Sequence, residues 1–139
     1  MNWIDAQEEF ESWFVGKTHF VYQFEDARAV MGALKSRKVF VQGRPSDYLV
    51  TSDGVTFFAE VKTSENPTSF PLSNIAKAQW NCAIKMVAAK GLYWFYIRKE
   101  PDRIWYRVPA VFFVSLFNNQ ILSAKWKDME SFRWTSPTA

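Results

Sequence analysis

Two carboxylates and a lysine near the middle of the chain could together bind a cation and a phosphate group. Asp47 and Glu60 lie 13 positions apart, and Lys62 follows Glu60 by two. Side chains at positions i and i+2 of a strand lie on one face, so Glu60 and Lys62 should point the same way. Magnesium binds oxygen ligands and takes one or two carboxylates plus substrate phosphate. The spacing therefore predicts metal-dependent chemistry on a phosphate ester.

The predicted metal ligands are Asp47, Glu60 and the backbone carbonyl of Val61, and the predicted ion is Mg²⁺ or Mn²⁺. Lys62 would orient the attacking water or stabilise the charge that grows on the phosphate. The alternative is an ordinary exposed strand face, on which Glu and Lys often pair. Glu60 and Lys62 interrupt an apolar strand, where charges cost stability unless they pair or bind something, and this favours a site.

A hairpin is expected to bring these side chains together. Strands over 46–51 and 55–62 flank a turn signal at 52–54, Ser-Asp-Gly. With the turn near Asp53 and Gly54, Asp47 falls on the neighbouring strand close to the level of Glu60. We therefore expect both carboxylates and the ammonium group of Lys62 to converge.

The rest of the chain predicts an α/β or α+β domain with a central mixed β-sheet flanked by helices. No linker or repeat divides it, so 1–139 should form one domain. Helices are expected over 3–15, 24–36, 74–90 (capped by Ser73) and from Pro109 to 117. Further strands are expected at 39–41, 92–98 and 104–108, and 63–73 with its two prolines reads as a loop.

Composition excludes several classes of protein. The chain has 139 residues, 48% of them apolar, which excludes disorder, and it carries a net charge of +3. Its one cysteine, Cys82, cannot form an internal disulfide, and its one histidine, His19, excludes a His-pair metal site. There is no long apolar run or leader, so we expect no membrane partner and a cytoplasmic protein of a bacterium or phage-infected cell.

Basic side chains cluster on both sides of the acidic motif, as a phosphate-backbone substrate would need. Lys35, Arg37, Lys38 and Arg44 precede it, and Arg98, Lys99, Arg103 and Arg107 follow it. Ser64 and Asn66 could also contact phosphates, although a plain solvent loop is the alternative. The segment from Ser123, with Lys125, Trp126, Lys127, Arg133 and Trp134, is either a basic-aromatic DNA contact or a helix edge or tail.

The stretch GRPSDYLVTSDGVTFFAEVKTSENPTSFPLSNIAKAQW resembles the RecU-like Holliday junction resolvases of the PD-(D/E)xK nuclease superfamily. It matches in order the acid of SDY, the AEVKTS strand, the FPLSNI segment and a glutamine four residues after Ile75. The later GLYWFYIRKEPDRIWYRVPA resembles the closing hairpin of that family. The resemblance covers roughly 43–117.

By resemblance the fold should be a restriction-endonuclease-like core. Asp47 and Glu60 carry over as metal ligands, Lys62 as the catalytic lysine and Gln79 as an active-site glutamine, while Ala78 stands where the family often has histidine. The first helix of the superfamily usually adds another acid. Glu9 is our choice, with Glu11 the alternative, because both flank the apolar helix face while Glu8 points away from it.

The function implied by the resemblance is divalent-metal-dependent endonuclease cleavage of branched DNA, most specifically four-way Holliday junctions, in recombination and repair. Two symmetric cuts imply a C2 homodimer. The short segment 35–44 leaves little room for the stalk that family members carry, which weakens the case for strict junction selectivity. The alternatives are a nuclease of the same fold acting on flaps, single strands or duplex, and a non-catalytic DNA-binding or recombinase-regulating module.

Overall fold

A six-stranded mixed β-sheet forms the centre of the protein, in a computed structural model that describes residues 2–25 and 43–137. The strand order is β1-β2-β3-β5-β6-β8, and only the pairing of β3 with β5 is parallel. These strands are β1 (His19–Gln23), β2 (Tyr48–Ser52), β3 (Val55–Ser64), β5 (Tyr93–Lys99), β6 (Ile104–Pro109) and β8 (Arg133–Trp134). A separate antiparallel pair joins β4 (Ser69–Pro71) to β7 (Ser123–Lys125).

Helices cover both faces of the sheet, as the sequence predicts. Helix α1 (Asn2–Trp13) packs Phe10 against Tyr48 and Tyr96, with ring centroids 4.9 and 4.8 Å apart, on one face. Helices α2 (Lys77–Ala88) and α3 (Ala110–Asn118) belong to a second core on the other face, together with Phe95 and Ile97. The architecture is therefore mixed α/β with a central sheet between helical layers.

The hairpin of β2 and β3 sets the register of the acidic motif. Its turn residues Asp53 and Gly54 have φ angles of +50° and +85°, values that favour Asp, Asn and Gly. Tyr48 pairs with Ala59 and Ser52 with Val55. Continuing this register by one residue places Asp47 opposite Glu60, so the predicted turn and alignment are confirmed.

The segment 63–90 departs from the prediction. Strand β3 runs on to Ser64, and β4 pairs with β7, so the loop expected at 63–73 is partly strand. A proline is compatible with β4 because Pro71 is the last residue of this short strand pairing. Helix α2 begins at Lys77 rather than Asn74, because residues 72–74 form one 3-10 turn. Its N-cap is Ala76 without a side-chain hydrogen bond, so the predicted Ser73 cap is wrong.

The two ends of the chain also differ from the prediction. Strand β1 was not predicted, and α1 ends two residues earlier than expected. The predicted strand 39–41 and nearly all of the predicted helix 24–36 lie outside the described residues. The C-terminal stretch is neither a helix edge nor a tail, because β7, a 3-10 helix (Trp126–Phe132) and β8 pack onto the domain. No helix in the described ranges is long and apolar enough to span a membrane.

Candidate active site

Asp47 and Glu60 form a reciprocal, buried carboxylate pair at the end of β2. The backbone N–H of Asp47 donates to Oε1 of Glu60 at 2.8 Å, and that of Val61 donates to Oδ2 of Asp47 at 2.8 Å. The two residues are only 1% and 2% exposed. Each acid is thus fixed by a backbone amide of the other strand, which leaves its second carboxylate oxygen to a cation.

Two cations neutralise this acidic pair. Nζ of Lys62 lies 3.1 Å from Oε2 of Glu60, as expected for side chains two residues apart on one strand face. Nη2 of Arg44 lies 2.9 Å from Oδ1 of Asp47. Both cations keep about a fifth of their side chain exposed, with 21% exposure each, so the site opens to solvent on the cationic side. A phosphate approaching from there would meet positive charge first.

Burial dominates the proton affinity of the pair. It raises the pKa of Glu60 to about 7, with the neighbouring Asp47 charge adding to the shift and Lys62 opposing it. Burial also raises the pKa of Asp47 above its ordinary value, against the hydrogen bond from Val61 and the charges of Arg44 and Lys62. Two acids this close resist ionising together unless a cation compensates them.

The donor set suits a hard divalent cation. Within the described residues, no group of three or more His, Cys, Asp or Glu side chains could hold a metal ion. Two carboxylates are nevertheless present, and the buried Oδ1 of Asp47 has the ion pair with Arg44 but no hydrogen bond of good geometry. The N–H and C=O of a strand residue point the same way, so the Val61 carbonyl faces the Asp47 side as its N–H does. These oxygens fit Mg²⁺ or Mn²⁺, which complete their shell with water and phosphate.

Gln79 acts on the site through the backbone. It is buried on α2, and its Nε2 donates to the carbonyl oxygen of Arg44 at 3.0 Å. The hydroxyl of Tyr93 donates to the next carbonyl, that of Pro45, at 2.7 Å. Together the two side chains hold the segment that leads into Asp47. Sequence reasoning missed Tyr93, which lies in an aromatic run with nothing to set it apart.

A close approach to α2 explains the glycine at position 43. A Cβ added at Gly43 would lie 2.7 Å from the Cβ of Ala78, which is closer than real Cβ contacts allow. The segment before Asp47 therefore passes directly over the first turn of α2. Ala78 on that turn is the position where the resemblance implies histidine.

Glu9 does not join the carboxylate pair. Its Oε1 accepts a hydrogen bond from Nη1 of Arg98 at 3.0 Å, and Nε of the same guanidinium donates to Oε1 of Glu100. Arg98 lies in register with Thr63, so side-chain alternation places it on the α1 face, opposite to Glu60 and Lys62. The structure gives Glu9 a buried arginine to neutralise. Of the first-helix acids, Glu11 lies close enough to Tyr48 to help raise the pKa of that phenol.

The predicted DNA-contacting residues are scattered. Lys35, Arg37 and Lys38 lie outside the described residues, whereas Arg44 is at the site. Ser64 is buried and its Oγ accepts from the N–H of Asn66, so a phosphate contact by Ser64 has little access. Asn66 is exposed on the same loop.

The basic residues that follow the motif have mainly structural contacts. The Arg107 guanidinium stacks 4.3 Å from the ring centroids of both Trp94 and Trp134. Trp126 is buried, and its Nε1 donates to the carbonyl of Asn66. Trp126 and Trp134 therefore pack within the domain, which favours a structural role for these two tryptophans over the DNA contact that was one alternative for the segment.

Comparison with solved structures gives a structural likeness, whereas comparison with family models and curated sequences gives none. A solved structure of Hjc from Archaeoglobus fulgidus, a Holliday junction resolvase from an archaeal hyperthermophile, is similar, with a TM-score of 0.47 and 14% sequence identity. The match covers 93% of this chain and 85% of that chain.

Proposed function

We propose that this chain is a divalent-metal-dependent endonuclease that hydrolyses phosphodiester bonds in branched DNA. The observation that carries the proposal is the position of Asp47, Glu60 and Lys62 on one sheet face, with two buried carboxylates in mutual contact and an ammonium 3.1 Å from one of them. Burying two acids side by side costs stability. A purely structural role does not explain this arrangement, because it provides no interaction that needs both carboxylates.

The side chains divide the work between binding and charge stabilisation. Asp47, Glu60 and the Val61 carbonyl would hold the cation, and a bound divalent ion would neutralise charge at the phosphate and lower the pKa of water. Lys62 would place a compact positive charge beside the scissile phosphate. Arg44, whose Nη2 lies 2.9 Å from Oδ1 of Asp47, would contact the phosphate backbone. Gln79 would position the Arg44 backbone through its hydrogen bond to the Arg44 carbonyl.

The four-way junction is the substrate that we propose first. The support is the ordered match of SDY, AEVKTS, FPLSNI and Gln79 to the RecU-like resolvases, because the geometry of one cutting site does not distinguish a junction from other DNA. A nuclease of this fold acting on flaps, single strands or duplex is the second candidate. A binding module without catalysis is the third, and the acidic pair argues against it.

Junction resolution needs two cuts, so we propose a C2 homodimer. Between α2 and α3 lies an apolar groove of about 600 Å³ whose exposed side chains include Ile84, Phe117 and Leu122. A second copy covering this groove would remove that apolar surface from water. Sedimentation velocity should show a dimer for the wild type and a shift to monomer for Ile84→Asp. A wild-type monomer at all concentrations would contradict the dimer.

The decisive experiment compares cleavage of an end-labelled four-way junction with that of a matched linear duplex, with Mg²⁺ and with EDTA. Asp47→Asn should lower the rate by at least about 100-fold, because a metal-held phosphate loses several kcal/mol of stabilisation. Asp53→Asn is the matched control. It makes the same chemical change in the same hairpin, at a turn position with φ +50° that asparagine tolerates.

The outcomes separate the candidates. Paired symmetric nicks in the junction alone, lost in Asp47→Asn and in EDTA but kept in Asp53→Asn, are expected for a resolvase. Equal cleavage of the junction and the duplex would support a nuclease but contradict selectivity for junctions. Equal activity of Asp47→Asn and Asp53→Asn would contradict the proposed site.

A further inference from the structure

A cavity of about 590 Å³ lies beyond the acidic site, over the carboxyl end of β3. Its walls come from the first turn of α1, the loop after β3 and the 3-10 turn before α2. The lining residues are Trp3, Thr63, Ser64, Glu65, Asn66, Pro71 and Asn74. The pocket is widely open to solvent, and its volume falls in the range of small-ligand sites.

The cavity adjoins the proposed catalytic face. Ser64 follows Lys62 by two positions on the same strand, so it lies about 7 Å farther along the face. A nucleic acid strand whose phosphate contacts Lys62 would therefore carry a neighbouring nucleotide to the mouth of the cavity.

One wall of the cavity is an aromatic ring presented to solvent. Trp3 is 43% exposed, although α1 has an apolar face in which Ala6 and Phe10 are fully buried. A large ring left outside the core, at the edge of a cavity, offers a stacking surface for a planar group. Base stacking on aromatic side chains is strong and tolerates all four bases.

Another part of the lining, the loop after β3, is polar and held in place. Oδ1 of Asn66 accepts from the N–H groups of Thr68 and Ser69 at 2.9 and 3.0 Å, and the Asn66 carbonyl accepts from Nε1 of Trp126 at 2.8 Å. With its oxygen engaged, the Asn66 amide presents N–H donors. A wall fixed before binding loses little entropy on contact with a ligand.

The charge of the lining favours a base over a phosphate. Glu65 lines the cavity, and its negative charge disfavours an anion there. Asn66 and Asn74 add amide groups that match the donor and acceptor edges of a base. An unpaired base is a planar, neutral group with polar edges, and it fits all three walls.

We infer that this cavity is a subsite for one unpaired nucleobase of the DNA substrate, stacked on Trp3 and hydrogen-bonded by the loop after β3. The inference rests on the proposed function, because it deepens the substrate recognition of the same site. It makes Trp3 a determinant of how tightly an unpaired nucleotide is held beside the cut, whichever base it carries.

The test measures binding separately from cleavage. Fluorescence anisotropy would follow a fluorescein-labelled 12-nucleotide single strand and a length-matched abasic strand, with all proteins carrying Asp47→Asn. Trp3→Ala should weaken binding of the base-bearing strand at least about fivefold, and Trp3→Phe, which keeps a ring, should weaken it less. Phe20→Ala is the matched control, because Phe20 is an exposed aromatic residue (61%) on β1 and does not line the cavity. The abasic strand should bind all variants equally.

Three results would overturn the inference: equal binding by Trp3→Ala and Phe20→Ala, an equal loss on the abasic strand, or no binding of either strand. Circular dichroism of each variant confirms that α1 is intact. Cleavage of the four-way junction by proteins that retain Asp47 reports on the proposed function independently. If the junction is cleaved but Trp3→Ala binds DNA normally, only the base subsite is contradicted. If Trp3→Ala weakens binding but the junction is not cleaved, the base subsite stands and the nuclease proposal is contradicted.

Discussion

Arg98 is a buried cation whose removal should destabilise the whole domain. It is 0% exposed, and its guanidinium donates to Glu100 through Nε and to Glu9 through Nη1. Glu100 is itself only 6% exposed, so loss of the arginine leaves a carboxylate out of water without its partner. Arg98→Met keeps the aliphatic length of the side chain and removes its charge.

The expected loss follows from burial. Removing one partner of a buried ion pair costs about 3–5 kcal/mol, against a total stability of about 5–15 kcal/mol for a domain. The pair of Arg103 and Asp5, at 3.6 Å with both side chains about half exposed, should contribute less than about 1 kcal/mol. Arg103→Met is therefore the matched control for the loss of one arginine.

Urea unfolding followed by tryptophan fluorescence measures both variants. Arg98→Met should lose about 3 kcal/mol or more, and Arg103→Met less than about 1 kcal/mol. Adding Glu100→Gln to Arg98→Met should restore part of the loss, because the unpaired charge is removed. A loss for Arg98→Met within error of that for Arg103→Met would refute the reasoning that burial makes this ion pair costly to break.

Three further predictions concern the site and its supports. Glu9→Gln should lower the free energy of unfolding by only about 1 kcal/mol, since the Glu9 side chain is 36% exposed. The same variant should bind Mg²⁺ as tightly as the wild type in calorimetry. A large fall in Mg²⁺ affinity would instead identify Glu9 as a metal ligand. In EDTA, the free energy of unfolding should fall by roughly 3 kcal/mol at most as pH rises from about 4.5 to 7. The reason is that folding raises the pKa of Glu60 from 4.5 to about 7, so the folded state binds the proton more tightly than the unfolded chain. Glu60→Gln should flatten this part of the profile of urea midpoint against pH. Gly43→Ala should destabilise the protein by about 1–3 kcal/mol, because its Cβ would meet that of Ala78 at 2.7 Å, and unfolding midpoints equal to wild type would show that the segment shifts freely.

The hairpin could be predicted because its determinants are local. A short turn with Asp53 and Gly54 at positive φ fixes the register of the two strands that it joins. From that register alone, Asp47 comes opposite Glu60, and strand alternation adds Lys62 to the same face. Neither step needs knowledge of the rest of the fold.

The supports of the site could not be read in the same way. The Gln79 contact with the Arg44 carbonyl spans 35 positions, and the Tyr93 contact with Pro45 spans 48. Both depend on how α2 and β5 pack against the segment before β2, which no local pattern specifies. The family resemblance placed Gln79 at the site, but only the packing shows that it acts on a backbone carbonyl rather than on the carboxylates.

Glu9 shows where helix periodicity stops being informative. The apolar spacing of α1 predicts which side of the helix meets the sheet, and Phe10 is buried there as expected. Periodicity does not reveal which sheet face the helix covers or which strand residue lies beneath its flank, and here that residue is Arg98, 89 positions away. Because α1 covers the face opposite to Glu60, its acid neutralises an arginine instead of adding to the carboxylate pair. In our proposal, the other ligands of a cation at Asp47, Glu60 and the Val61 carbonyl would come from water and from the phosphate, so we expect the metal to bind more tightly when substrate is present.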